Sequence, residues 1–253
     1  NNQVKYDIID NSEKMAKSRI GEILYDKIIK NYTFKQWNKY PHELNEEVLK
    51  RIPVYNNFDT RYFKNKYQAL PHKGYTHFFN NILNNPLISV LLDTDFNNIK
   101  NEIDLAKYKA VIYTGPIDKY FEEHNLEKLE YRSIDFKMTI FKNMNYYQPC
   151  SSINYPSLDY EFTRIIEYKH LLNQKSPDTV IISETTNDKG DPYYPVLTNK
   201  NIDLYNKYKE LAEQEEKNNV YFVGRLANYK YFDMDKAIEN SLKVFQQIKL
   251  KNL

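Results

Sequence analysis

A single cysteine, Cys150, stands among 253 residues, so the chain can form no internal disulfide and no multi-cysteine metal site. Glycine is scarce, with five residues against the ~7% of an average protein. Gly21, Gly74, Gly115, Gly190 and Gly224 lie too far apart for a G-x-G-x-x-G turn or a P-loop. A phosphate cradle built from backbone amides is therefore absent from this sequence. The five histidines form no helical i,i+4 pair; His72 and His77 are nearest, with Gly74 between them, and no metal site is expected. No apolar run approaches the ~18 residues of a membrane span, and the mean hydropathy is −0.76. Thirty-six basic against 34 acidic residues leave no charge excess to hold nucleic acid on a basic face. No signal peptide is recognisable, which favours a cytoplasmic location. The first residue is Asn rather than Met, which suggests a start inside a longer product.

Aromatics are abundant: 24 Tyr and 13 Phe are too many for a disordered segment. The length suits one large domain or two modest ones. Residues 1–50 read as helical, with Ile20, Ile23, Leu24 and Ile28 in a stripe. A short helix fits 42–50, stopped by Pro53. Residues 75–83 read as helix, and 87–92 and 109–114 as strands. Residues 129–196 read as antiparallel β. Ile134, Phe136, Met138 and Ile140 alternate with polar residues, as a half-buried strand does. Phe162, Ile166 and Tyr168 share a face of a second run, and 179–183 is a third. A helix over 202–216, a buried strand over 220–223 and a last helix capped by Asp233 follow, the last with a stripe of Ile238, Leu242, Phe245 and Ile248. This order predicts α/β with α+β insertions: an α/β unit interrupted by other elements, not two sequential domains.

Two arginines break their strand patterns. Arg132 has the parity of Ile134, and Arg164 that of Phe162 and Ile166. Such an Arg is costly unless it is paired or faces a ligand. Its planar fork suits a diphosphate; the plainer alternative is a salt bridge to Glu130 or Glu167. Trp37, the only Trp, and Tyr32 offer flat rings for a base or a sugar face, or for the core. Arg51 lies beside the turn at Pro53, as a loop cation or simply a solvated one. Tyr62, Tyr194 and Tyr231 can each donate one neutral hydrogen bond to a phosphate, or pack. Asp233 also reads as an N-cap.

These segments resemble UDP-galactopyranose mutase. The likeness runs through Tyr32-Thr33-Phe34-Lys35-Gln36-Trp37, Lys50-Arg51-Ile52-Pro53-Val54, Arg61-Tyr62-Phe63, Lys66-Tyr67-Gln68-Ala69-Leu70-Pro71 and Gly74-Tyr75-Thr76. It continues through Tyr113-Thr114-Gly115-Pro116-Ile117-Asp118, Glu130-Tyr131-Arg132-Ser133, Phe162-Thr163-Arg164-Ile165-Ile166-Glu167 and Pro192-Tyr193-Tyr194-Pro195. It ends with Gly224-Arg225-Leu226 and Tyr229-Lys230-Tyr231-Phe232-Asp233-Met234. Ten motifs in family order, the last in two parts, over nearly the whole chain, are far more specific than any one of them.

The resemblance implies an isomerase that interconverts UDP-galactopyranose and UDP-galactofuranose, with reduced FAD as nucleophile and no net redox change. It implies part of a Rossmann-like FAD domain, a helical domain and an antiparallel β-sheet domain. The expected divisions are 1–58 for the helical, mobile-loop part, 59–128 for a return to the FAD domain, 129–197 for the substrate sheet and 198–253 for the closing α/β segment. Tyr32 resembles the uracil-stacking Tyr and Trp37 the Trp beside the sugar. Arg51 and Arg164 resemble the mobile and fixed arginines of the diphosphate. Tyr62, Tyr194 and Tyr231 resemble its phenol donors. Gly115, Arg132, Arg225, Asp233 and Met234 fall in segments that line the flavin, where Arg132 would favour the anionic reduced form.

There are departures. Asn38 stands where the family usually has Gly, but Asn also adopts a left-handed turn. Tyr55 stands where an Arg often follows. The first strand, Gly-rich turn and helix that take the FAD pyrophosphate precede the segments seen here, so the ADP-binding part of the site is expected outside this chain. Apolar surface on the closing strand and helices is then expected to be uncovered. A homodimer, or an N-terminal half supplied by a partner chain, is the expected association. A UDP-sugar binding module without flavin is the alternative reading, and a decayed remnant a third. The presence of every clamp residue weighs against decay.

Overall fold

Asn11 opens the first helix by accepting a hydrogen bond from the Lys14 amide at 2.9 Å, a cap that contributes ~1 kcal/mol. In this computed structural model, which describes residues 3–59, 61–172 and 174–251, helix α1 spans Ser12–Leu24. Gly21, at φ +78°, kinks it. A π-helical stretch, Tyr25–Lys30, leads into α2, Asn31–Trp37. The change of winding rotates the expected stripe: Ile23, Leu24 and Ile28 are exposed, and Ala16 and Tyr25 are buried instead. Asn38 ends α2 at φ +51° and donates its amide to Phe34, the left-handed turn expected of it. The helix expected over 42–50 is two pieces, a 3-10 turn Pro41–Glu43 and α3, Glu47–Lys50. Helix α4, Gly74–Leu83, forms as expected but buries no residue. Residues 87–92 form no strand and lie exposed; among the described residues no strand pairs with their apolar run.

After the single turn α5, Phe96–Ile99, strand β1, Val111–Tyr113, leads to α6, Ile117–Tyr120. Strands β2 (Tyr131–Phe141), β3 (Ser152–Asn154), β4 (Arg164–Glu167), β5 (Thr179–Asn187) and β6 (Tyr194–Pro195) form an antiparallel sheet in the order β3-β4-β5-β2-β6. Thr198 caps α7, Asn199–Glu215, and β7, Val220–Phe222, then pairs in parallel with β1. Val111 lies opposite Val220, so two strands of one parallel unit are separated in sequence by the whole antiparallel sheet. The expectation of an interrupted α/β unit is met in that pairing.

Two apolar clusters hold these parts. Tyr113, Tyr120, Phe121 and Phe222 form an aromatic core around β1 and β7, covered by Leu204, Tyr208 and Ala212, one helical turn apart on α7. Trp37, Tyr25, Leu44, Val48 and Val196 form the second. Leu197 packs against both. Helix α8, Met234–Lys251, buries Ile248 but leaves Ile238, Leu242 and Phe245 exposed. Ile112 on β1 is exposed as well. The expectation of uncovered apolar surface thus holds for α8 but not for the closing strand: β7 is buried because β1 pairs with it and the aromatic core packs on it.

The antiparallel sheet corrects two face assignments. Ile134 is buried, but Phe136, Met138 and Ile140 on the same face are exposed. On β4 the buried parity is Thr163, Ile165, Glu167 and Lys169, and the face with Arg164 and Ile166 is the more open one. The cause is an internal polar cluster beneath β4. Glu167, at 0% exposure, accepts hydrogen bonds from the Tyr147 and Gln148 amides at 3.0 Å each and from the Thr179 hydroxyl. His170 Nε2 lies 3.2 Å from the same carboxylate. Lys169 Nζ donates to the carbonyls of Asn145 and Ser176. Fully satisfied polar groups are buried at little net cost, and apolar periodicity alone misassigns such a face.

Candidate functional site

The open face of β4 looks onto the end of α2. Arg164 Nε donates to Glu184 on β5 at 2.5 Å, across directly opposed strand positions. Glu184 is 3% exposed. Burial works to lower the Arg164 pKa, but the hydrogen bond and charge of Glu184 outweigh it and raise the pKa. The partner is therefore neither Glu130 nor Glu167, the two acids expected from sequence. Glu130 instead meets Lys39 at 3.6 Å.

Tyr32, on α2, is half-buried, and burial raises its pKa; the charges of Arg164, Glu184 and Arg51 all reach it. Trp37, one turn further on, is 4% exposed, so its ring is committed to the core, with one edge turned to Tyr194 at 5.9 Å and Tyr231 at 6.2 Å. Those two tyrosines stack on each other, 5.4 Å apart and within 8° of parallel. Burial pushes the Tyr194 phenol up to about 12. The Arg51 guanidinium stands 3.9 Å from the centre of the Tyr231 ring, in cation–π range. Burial raises the pKa of half-exposed Tyr62, and the charges of Arg51 and Asp233 also act on it.

A tight loop positions Tyr231. Gly224 has φ +100° and donates its amide to Asn228 Oδ1 and Asn240 Oδ1 at 3.1 and 3.0 Å. Tyr229 adopts φ +45°, a conformation that costs a non-glycine residue ~1–2 kcal/mol. Its phenol donates to the Glu130 and Val196 carbonyls at 2.6 and 3.1 Å, which holds the loop against the sheet. Arg225 donates through Nε and Nη2 to the Phe232 carbonyl and through Nη1 to that of Tyr193. Its guanidinium lies 4.7 Å from the Tyr231 ring and 5.3 Å from that of Tyr194. Asp233 is exposed and its carbonyl accepts from Ala237 in the first turn of α8. Met234 begins that helix and is 62% exposed.

Arg132 is 6% exposed, and burial lowers its pKa. Its Nε donates to the Gln36 carbonyl at 3.2 Å, and Nη1 lies 3.6 Å from Asp188. This buried cation is thus only loosely paired. It lines a cavity of about 360 Å³ with Asp118, Tyr131, Asp188 and Pro192. Gly115 lines a second cavity of about 440 Å³ with Asp95 and Tyr113. A Cβ there would stand 2.6 Å from the Tyr113 hydroxyl, so close internal packing requires glycine. Gly115 and Gly224 each follow the carboxyl end of a parallel strand, β1 and β7, where open α/β sheets bind ligands.

Tyr32, Arg51, Tyr62, Arg164, Tyr194 and Tyr231 thus come together with Arg225, and Trp37 lies buried beneath them. Arg132 and Gly115 line neighbouring cavities. Sequence reasoning missed Glu184, Lys35, Tyr229 and Asp188. Glu184 falls just past the β run expected over 179–183 but inside β5 as observed, so that run gave no signal for it. Among the described residues no three His, Cys, Asp or Glu side chains gather to hold a metal ion, and no helix is long and apolar enough to cross a membrane.

The sequence profile of UDP-galactopyranose mutase matches residues 27–231. The chain belongs to the UDP-galactopyranose mutase family. A Klebsiella pneumoniae protein designated "probable UDP-galactopyranose mutase" is 38% identical over 235 residues, 91% of this chain and 59% of that protein. An Escherichia coli dTDP-fucopyranose mutase is 35% identical over 246 residues, 95% of this chain and 64% of that one. The chain therefore spans about three fifths of the length of these mutase relatives. The fold matches the crystal structure of reduced UDP-galactopyranose mutase with a TM-score of 0.68 and 13% identity, over 90% of this chain and 65% of that one.

Proposed function

We propose that this chain carries the nucleotide-sugar clamp of a cytoplasmic UDP-galactopyranose mutase, and that it binds UDP-galactopyranose and UDP-galactofuranose through their diphosphate. The observation that supports it best is the convergence of Arg51, Arg164 and three phenols around the Tyr194–Tyr231 stack. Two guanidinium groups at fixed and mobile positions match a diphosphate, which needs bidentate charge. A phenol with a raised pKa, as at Tyr62 and Tyr194, stays protonated at neutral pH and donates to phosphate oxygen without adding charge. Tyr32 offers its ring to the uracil, and Trp37 backs the clamp on the sugar side. Arg51 stands exposed on the turn after α3, so it can leave the Tyr231 ring and close on the diphosphate. Arg164 stays paired to Glu184 and holds the other side.

The residues present fit the flavin that such a reaction needs. Arg132 is a buried, loosely paired cation beside a cavity, suited to a group that carries negative charge when reduced. Gly115, Arg132, Arg225, Asp233 and Met234 would line it, and its ADP part would rest on segments outside this chain. When bound and reduced, FAD supplies nucleophilic displacement of UDP at the anomeric carbon, with no net oxidation. The protein's own part is to hold the departing diphosphate, stabilise its developing charge and keep it in place for return. The 1–58, 59–128, 129–197 and 198–253 divisions serve this reading as helical, FAD-domain, substrate-sheet and closing parts.

The test is the visible spectrum of the chain mixed with FAD and desalted, followed by turnover of UDP-galactofuranose under dithionite. A retained flavin band with turnover is the expected result when the remaining mutase segments are supplied; turnover without dependence on Arg164 would overturn the clamp. Arg51→Ala is expected to weaken UDP binding by about tenfold, because an exposed, mobile cation gives one charge-assisted contact that water partly replaces. Titration of Trp37 fluorescence measures it. Because one relative is named for a dTDP sugar, dTDP belongs in the same titration; equal affinity for UDP and dTDP would show that the ring of Tyr32 does not discriminate the base.

A further inference from the structure

Lys35 on α2 reaches across to the connection between β3 and β4. Its Nζ lies 2.5 Å from the Tyr155 carbonyl, 2.8 Å from Ser157, 3.1 Å from Tyr160 and 2.8 Å from Phe162. All four oxygens belong to residues 155–163, the connection between β3 and β4. An ammonium has three protons, so four carbonyls saturate it, and no carboxylate is among these partners. Desolvation lowers its pKa, as expected where peptide dipoles alone stabilise the charge. Within the same loop the rings of Tyr155, Tyr160 and Phe162 pack against one another at 4.9 to 5.4 Å. The loop is folded around this one cation.

Backbone contacts reinforce the joint. The Thr186 hydroxyl donates to the Lys35 carbonyl, and Arg132 donates to that of Gln36. The Thr163 amide and hydroxyl donate to the Glu184 carbonyl at 2.8 and 3.1 Å. Lys35 therefore stands between two clamp residues. Tyr32 is one turn before it on α2, and Arg164 follows the caged loop directly on β4.

We propose that Lys35 is a positioning residue, whose ammonium fills a four-carbonyl cage and fixes the separation of the base ring at Tyr32 from the diphosphate arginine at Arg164. This rests on the nucleotide-clamp reading for its functional consequence, but the anchoring of the loop does not. A lysine suits the role better than an arginine: a compact point charge with rotatable donors meets converging carbonyls, whereas a planar fork cannot.

The experiment compares Lys35→Ala with Lys35→Met. Alanine removes a propylammonium unit, which can be added back; methionine removes the charge but fills the space. Two readouts are taken on the folded chain, confirmed by circular dichroism: hydrogen exchange of the Tyr155 and Thr163 amides, both bonded in this loop, and UDP affinity from Trp37 fluorescence. Both variants are expected to lose amide protection and to bind UDP roughly tenfold to a hundredfold more weakly, the loss of a charge-assisted contact. Added n-propylammonium is expected to restore both readouts in the alanine variant and neither in the methionine one. Unchanged protection in Lys35→Met, or lost protection with unchanged UDP affinity, would overturn the proposal; so would failure of propylammonium to act on a folded alanine variant. If the unsubstituted chain gives no response to UDP while protection and its rescue behave as stated, the nucleotide reading fails and the anchoring stands.

Discussion

Arg164→Ala is expected to weaken UDP binding about a hundredfold, the largest loss from any single change in the clamp, and larger than that from Arg51→Ala. The difference lies in what each arginine leaves behind. Arg51 faces a neutral ring. Arg164 faces Glu184, a carboxylate that is 3% exposed. Truncating one partner of such a pair costs ~2–5 kcal/mol, much of it from the stranded charge. Here the stranded carboxylate would also repel the diphosphate. Arg164→Ala combined with Glu184→Gln is therefore expected to recover about tenfold of the loss, a coupling that a double-mutant cycle isolates. Simple additivity of the two changes would show that the ion pair does not set the charge at the site.

Glu167→Gln is expected to cost ~3 kcal/mol of stability at pH 7, and the deficit is expected to shrink in acid. Four donors converge on this wholly buried carboxylate, and an amide cannot accept from all of them. Burial works to raise the Glu167 pKa, but these hydrogen bonds outweigh it and hold the pKa below its ordinary value of 4.5. A group depressed in the folded state stabilises above its unfolded pKa, and that stabilisation is lost as pH falls through the folded one. Thermal melts of both proteins are thus expected to differ by roughly 6–12 °C at pH 7 and by progressively less as pH falls below 4.5. A constant difference down to pH 3 would mean that the carboxylate charge is not what holds the loop over residues 142–150.

The legible part of the molecule is that governed by local pattern. Helices α7 and α8 and strands β2, β5 and β7 follow from apolar spacing, although α7 starts at Asn199, capped by Thr198, three residues before the expected 202. The left-handed turn at Asn38 follows from its residue type. Faces were harder to read. The exposed Phe136, Met138 and Ile140 look like core in sequence, while the buried Glu167 and Lys169 look like surface. Periodicity reports which residues alternate; it does not report which side finds partners. The run 87–92 has the composition of a buried strand, but among the described residues no strand pairs with it. In the candidate site, the residues proposed for substrate were picked out through ordered motifs. Their supports were not. Glu184, Lys35 and Tyr229 act through contacts to residues 20, 120 to 127 and 33 to 99 positions away, which no local pattern encodes.

The most direct measurement is titration of the single Trp37 with UDP and, separately, with UMP. Trp37 touches both stacked tyrosines, so its emission reports on the clamp. If Arg51 and Arg164 hold a diphosphate, UDP binds at least about tenfold more tightly than UMP, since the second phosphate adds a charge-assisted contact. Equal affinity for the two nucleotides, or no response to either, would contradict the account.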